Sequence, residues 1–103
     1  MNTNPNIVYF DIAATTPLDP RVAKIMNEIN EKSFGNPSSV HQFGQKAHNL
    51  LEKNRKKIAN ILSCHESEIF FTSGGTESNN IALQGTLNKG DHLITSNYEH
   101  PAI

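Results

Sequence analysis

The chain has 103 residues, a formal charge of −1 from nine basic and ten acidic side chains, and a hydrophobic fraction of 36%. That length bounds it to at most one domain, and the near-balance of charge gives no electrostatic case for nucleic acid or an anionic membrane as main partner. A single cysteine, Cys64, excludes an intrachain disulfide framework, and no apolar run approaches the ~20 residues of a membrane span.

Residues 2–6 are polar and carry a proline, which predicts a loose arm. "MNTNPNIVYF" has neither a basic nor a long apolar region, so no secretory signal is expected and cytoplasm is the default, in keeping with the lone thiol. "IVYF" (7–10) is β-branched and aromatic, a candidate short strand. After "AATTPLDP" (13–20), Val22, Ile25, Met26 and Ile29 recur at the spacing of one helix face. Asp19 fits that helix's N-cap and Pro20 its first turn.

"SFGNPSSV" (33–40) is dense in turn formers and reads as a loop. A second helix is expected from about His41 to Leu62, with Ala47, Leu50, Leu51, Ile58, Ile61 and Leu62 on one face and Lys and Arg opposite. "EIFFT" (68–72) reads as a buried strand. "NNIALQGTLN" (79–88) reads as a helix burying Ile81, Ala82 and Gly85. Lys89-Gly90-Asp91 turns the chain into "HLITS" (92–96), another strand, and Pro101 suits the first turn of a further helix. The alternation of helix and strand predicts an α/β fold with a parallel sheet. Two good strands and a doubtful third are too few to close such a sheet, so it is expected to be incomplete.

Two stretches could carry chemistry. In Thr72-Ser73-Gly74-Gly75-Thr76 a strand ends in glycines and opens a helix, leaving backbone N–H groups at the positive end of the helix dipole. Ser73 and Thr76 add hydroxyl donors for an anion. The pattern lacks the lysine of a P-loop and is not GxGxxG. A phosphate cradle and an ordinary tight turn that needs glycine both fit it. His100 follows a strand end, on the carboxyl edge where open α/β sheets bind ligands. Taken alone, it reads better as an exposed loop histidine capping ahead of Pro101. His41 and His48 lie seven apart on one helix, about 10 Å along the axis, too far to share a metal. Cys64-His65 has no second ligand pair in range, so no zinc site is expected, and Cys64 reads as a partly buried or incidental thiol.

Taken together, "YFDIAATTPLDPRV", "FGNPSSVHQFGQKA", "IFFTSGGTESNNIALQG" and "HLITSNYEHPAI" resemble, in order and spacing, the N-terminal part of cysteine desulfurases. These are pyridoxal-phosphate (PLP) enzymes of the class V aminotransferase group with the fold-type-I architecture. The resemblance runs from about residue 7 to 103. It implies residues 1–15 as an N-terminal arm and 16–103 as the first part of the large PLP-binding domain.

It also implies roles residue by residue. Gly75 and Thr76 match the family's phosphate-binding "GTES" turn, which makes the ligand of the glycine turn a cofactor phosphate. His100 matches the family histidine that stacks on the pyridine ring and acts in proton transfer. Ala14, Thr15 and Asn36 match segments bordering the substrate pocket.

The family converts L-cysteine to L-alanine and passes sulfur to an enzyme cysteine as a persulfide, for iron–sulfur clusters or tRNA thiolation. Family members are homodimers, and a sulfur-acceptor protein is a further partner. None of the seven lysines in the chain, Lys24, Lys32, Lys46, Lys53, Lys56, Lys57 and Lys89, sits in the family's Schiff-base motif. Cys64 does not match its persulfide position. The isolated chain is therefore expected to be inactive. Two alternatives share the pattern: a non-catalytic remnant or interaction module, and part of another class V enzyme such as a selenocysteine lyase.

Overall fold

The computed structural model describes residues 6–103. It holds three α-helices, α1 (Pro20–Lys32), α2 (Gln42–Leu62) and α3 (Gly75–Thr86), and a 3-10 turn at Glu66–Glu68. The chain divides into two units, residues 1–54 and 55–103. The loose arm expected over residues 2–6 lies, except for Asn6, outside the described residues.

In the first unit the Tyr9 hydroxyl donates to the carbonyls of Asp11 (2.8 Å) and Thr15 (3.0 Å), closing the turn ahead of α1. Asp19 is the N-cap of α1, as its sequence predicts: its carboxylate accepts from the Arg21 amide at 2.8 Å, and Pro20 needs no partner for its missing N–H. At the other end Lys46 Nζ donates to the Lys32 carbonyl at 2.8 Å, placing a cation on the negative end of the helix dipole. The apolar stripe Val22, Ile25, Met26 and Ile29 is exposed. The loop that follows packs close to the start of α2. The Phe34 and Phe43 rings stack with centroids 5.4 Å apart, and His41 Nδ1 accepts from the Gly44 amide at 3.2 Å.

The helix expected from about His41 to Leu62 forms with nearly those bounds. Its buried positions are the small ones, Gly44, Ala47 (7% exposed) and Ala59 (2%), whereas Ile61 (80%) and Leu62 (64%) stand in solvent. In the second unit α2 ends in a Schellman-type closure: Cys64 N donates to the Ala59 carbonyl at 3.0 Å and Ser63 N to the Asn60 carbonyl at 3.3 Å. Ser63 takes the left-handed conformation this closure requires, with φ 56°. His65 then caps the 3-10 turn. Its Nδ1 accepts from the Ser67 amide, and its own N–H donates to Glu68 Oε2 at 2.6 Å. Cys64 is half-buried, as expected.

The sheet is the main correction. Segments 7–10, 68–72 and 92–96, expected as strands, form no ladder, and no strand exists among the described residues. A strand exists only through its neighbour's backbone, and β-branched composition cannot supply that neighbour. Glu68 instead closes the 3-10 turn, and Phe70, Phe71 and Ile94 are exposed. The third helix begins at Gly75 rather than Asn79 and ends at Thr86, and none of its residues is buried. Gly90, at φ 103°, makes the expected turn, braced by Asn88 N donating to Asp91 Oδ2 at 2.7 Å. Pro101 opens only a turn, closed by Ile103 N donating to the His100 carbonyl at 2.9 Å.

Candidate functional site

The glycine turn is the N-terminus of α3. Gly74 is the N-cap, extended and without a side chain to cap with. The first helical bond runs from Ser78 N to the Gly74 carbonyl at 3.1 Å. The amides of Gly75, Thr76 and Glu77 precede it and find no acceptor among the described residues. A Cβ at Gly74 or Gly75 would meet nothing within 4 Å, so the backbone there is open to close approach. The Thr76 hydroxyl likewise has no hydrogen-bond partner among the described residues, and its carbonyl accepts from Asn80 Nδ2 at 2.8 Å. Three amides and a hydroxyl thus stand as free donors at the positive end of a helix dipole, where the chemistry suits an anion.

Ser73 is not one of those donors. Its amide (2.6 Å) and hydroxyl (2.7 Å) both donate to Glu77 Oε2. The Ser73 hydroxyl, then its amide, hold the Glu77 carboxyl below its ordinary range. A second clasp lies beside the first: Thr72 Oγ1 and Ser78 Oγ are 2.7 Å apart, and each lies 3.2 Å from the Gly74 carbonyl. Neither clasp was foreseen. The available signal was the spacing Ser73–Glu77, one residue longer than a capping box.

His100 is exposed, and its Nδ1 accepts from the Ala102 amide at 3.1 Å. The exposed loop position is as its sequence context suggests, but the bond closes a turn, since no helix follows for it to cap. Accepting at Nδ1 places the proton of the neutral ring on Nε2. No hydrogen bond joins His100 to Gly75 or Thr76 among the described residues. Ala14, Thr15 and Asn36 belong to the first unit. The amides of Ala14 and Thr15 donate to the Asp11 carbonyl at 3.2 and 3.3 Å. Asn36 builds an Asx turn, its Oδ1 accepting from the Ser38 amide at 2.9 Å and its carbonyl from the Ser39 amide at 3.0 Å. All three are exposed. No group of three or more metal-ligating side chains exists among the described residues, and no described helix is long and apolar enough to cross a membrane.

Residues 8–103 match the aminotransferase class-V family. The chain is 46% identical over 101 residues to a NifS/IcsS protein homolog of Lactobacillus delbrueckii subsp. bulgaricus, covering 94% of this chain and 26% of the relative. It is 48% identical over 100 residues to the cysteine desulfurase IscS of Dictyoglomus turgidum, covering 93% and 25%. With the mitosomal cysteine desulfurase of Trachipleistophora hominis it shares 43% over 106 residues, covering 96% and 24%. The chain thus spans about a quarter of the length of these curated relatives. No solved structure matches it. With all but its first seven residues inside the match, the chain belongs to the class-V aminotransferase family.

Proposed function

We propose that this chain is the N-terminal segment of a fold-type-I, PLP-dependent cysteine desulfurase, contributing the phosphate end of the cofactor site. The observation that carries this reading is the donor set at Gly75 and Thr76, open to approach and lying inside the family match. The curated relatives named cysteine desulfurase support the substrate, L-cysteine.

The residues fit the phosphate of PLP. Backbone amides at a helix N-terminus favour a dianion, and the absence of a Cβ at positions 74 and 75 lets it reach them. Gly75 and Thr76 would hold the phosphate. When bound, PLP supplies an electron sink for the bond changes at the substrate carbon. His100, with Nδ1 committed to the Ala102 amide, presents Nε2 as the atom that holds or moves a proton. Ala14, Thr15 and Asn36 would border the substrate. The lysine that carries the cofactor, the aspartate that pairs with its ring nitrogen and the persulfide cysteine have no counterpart in the motifs of these 103 residues, so the chain alone is expected not to turn over cysteine. A sulfur-acceptor protein and a role in iron–sulfur cluster or tRNA sulfur supply, in the cytoplasm, complete the proposal.

The test is to express the open reading frame that contains this segment and assay it with PLP and L-cysteine. Alanine is expected, with a large loss in Thr76→Ala, and the 103-residue chain alone yields none. A full reading frame that forms no alanine, or alanine from the 103-residue chain, overturns the reading.

A further inference from the structure

A helix end can take a ligand only if the chain's own side chains leave its amides uncapped. At α3 this is not automatic, because Ser73 precedes Gly74-Gly75-Thr76. If the helix began one residue earlier, Ser73 would be its N-cap. Its hydroxyl would then accept from the amides two and three residues on, which are those of Gly75 and Thr76. Serine is among the best residues for that role, so an internally capped α3 is a real competitor to the open one.

In the structure Glu77 prevents it. One carboxylate oxygen takes both the amide and the hydroxyl of Ser73, at 2.6 and 2.7 Å, which fixes Ser73 outside the helix and leaves Gly74 as a cap with no side chain. The Thr72–Ser78 pair, each hydroxyl also 3.2 Å from the Gly74 carbonyl, engages those two hydroxyls with one another and with the turn's own backbone.

We infer that Glu77 is a positioning residue for the phosphate-binding turn: by holding Ser73 it keeps the Gly75 and Thr76 amides open to an external anion. This rests on reading Gly75 and Thr76 as the phosphate site. Glu77 itself touches no ligand, and its charge opposes an incoming phosphate, so the benefit lies in the hydrogen bonds it accepts.

The experiment is a titration of the 103-residue chain with inorganic phosphate, following the Gly75 and Thr76 amides by nitrogen-15 NMR, with hydrogen exchange of the Ser73 amide as a second readout. Glu77→Ala is expected to weaken phosphate binding about fivefold, the scale of one hydrogen bond's competition, and to speed exchange at Ser73. Glu77→Gln still accepts both bonds without the charge, and binds phosphate at least as tightly as the parent. Ser73→Ala placed in the Glu77→Ala background recovers the affinity, because the competing cap is gone. A merely structural role for Glu77 would not produce that recovery. If Glu77→Ala binds phosphate unchanged or more tightly while Thr76→Ala weakens it, the inference is wrong and the site reading stands. If the parent amides do not respond to phosphate and Thr76→Ala changes nothing, the site reading fails and takes the inference with it.

Discussion

The guanidinium of Arg55 lies over the Phe71 ring, 4.9 Å from its centroid, and the same group donates to the Ile69 carbonyl. One side chain on α2 thereby ties down the segment that leads into the glycine turn. Arginine suits this because its planar fork can stack and donate at once, whereas a lysine ammonium is a point donor. Arg55→Ala should destabilise the second unit by about 1–2 kcal/mol, combining a cation–π contact and a hydrogen bond. Arg55→Lys should recover less than half of that. Urea unfolding followed by Phe71 hydrogen exchange reads the loss. An unchanged midpoint in Arg55→Ala would show that the segment is held by other contacts.

Two glycines should respond in opposite directions to alanine. A Cβ on Gly44 would collide with the Ser39 carbonyl and lie 2.7 Å from the Asn36 carbonyl oxygen, both backbone atoms of the loop carrying Asn36. Backbone cannot swing aside as a side chain can, so Gly44→Ala should cost about 1–3 kcal/mol and displace that loop. Gly85, inside α3, has nothing within 4 Å of its would-be Cβ. Gly85→Ala should therefore stabilise the helix by up to about 1 kcal/mol. Thermal unfolding of the two variants side by side separates them. Destabilisation by Gly85→Ala would show that α3 is packed on that face.

Helices were legible in the sequence to the extent that their signals are local. Asp19-Pro20 marks a start that needs only its own next two residues, and α1 begins there. The strands were not legible, because "EIFFT" and "HLITS" state a preference whose fulfilment depends on another segment's backbone. Burial was legible only in part: Ala47, placed on the core face by periodicity, is buried, whereas Ile61 and Leu62 of the same face are exposed and Gly44 and Ala59 are covered instead. At the candidate site the free amides follow from a glycine N-cap with no side chain, a local feature that the sequence displays directly. Ser73 was misjudged as a ligand donor because its partner, Glu77, lies four residues on, a spacing that matches no standard capping pattern.

Ser63 supplies a third prediction. It sits at φ 56°, the left-handed region, at the position of the Schellman closure that glycine usually fills. Its Cβ carries a steric penalty there that glycine lacks. Ser63→Gly should raise stability by about 1 kcal/mol, net of the extra chain entropy glycine brings to the unfolded state. Ser63→Val, β-branched, should lower it by more. Denaturant midpoints with the unfolding slope held constant check both. A loss of stability in Ser63→Gly would mean that the serine makes a compensating contact.

Asp19 gives the first unit a predictable acid response. Its carboxylate pairs with Arg21, Oδ2 to Nη2 at 2.6 Å and Oδ1 to Nε at 3.0 Å, and accepts from the Arg21 amide as N-cap. The Arg21 side chain first, and its amide second, hold the carboxyl below its ordinary value of 3.8. Because the folded state favours the ionised form, the stabilisation is fully present above 3.8 and is lost as pH falls through the lowered folded value. Helicity of α1 should therefore be flat from neutrality down to about pH 4 and decline only at more acid pH, with Asp19 titrating below 3.8 by carboxyl carbon NMR. Asp19→Asn keeps an oxygen for the Arg21 amide but not the ion pair, so it should retain most of the helix start while abolishing that acid transition. Asp19→Ala should lose the cap as well and fray the first turn at every pH, since Pro20 offers no amide to compensate. The exposed pair is screened, so 1 M salt should move the Asp19 titration back toward 3.8 without uncapping the helix. A titration midpoint at or above 3.8 in low salt would show that the Arg21 contact does not persist in solution.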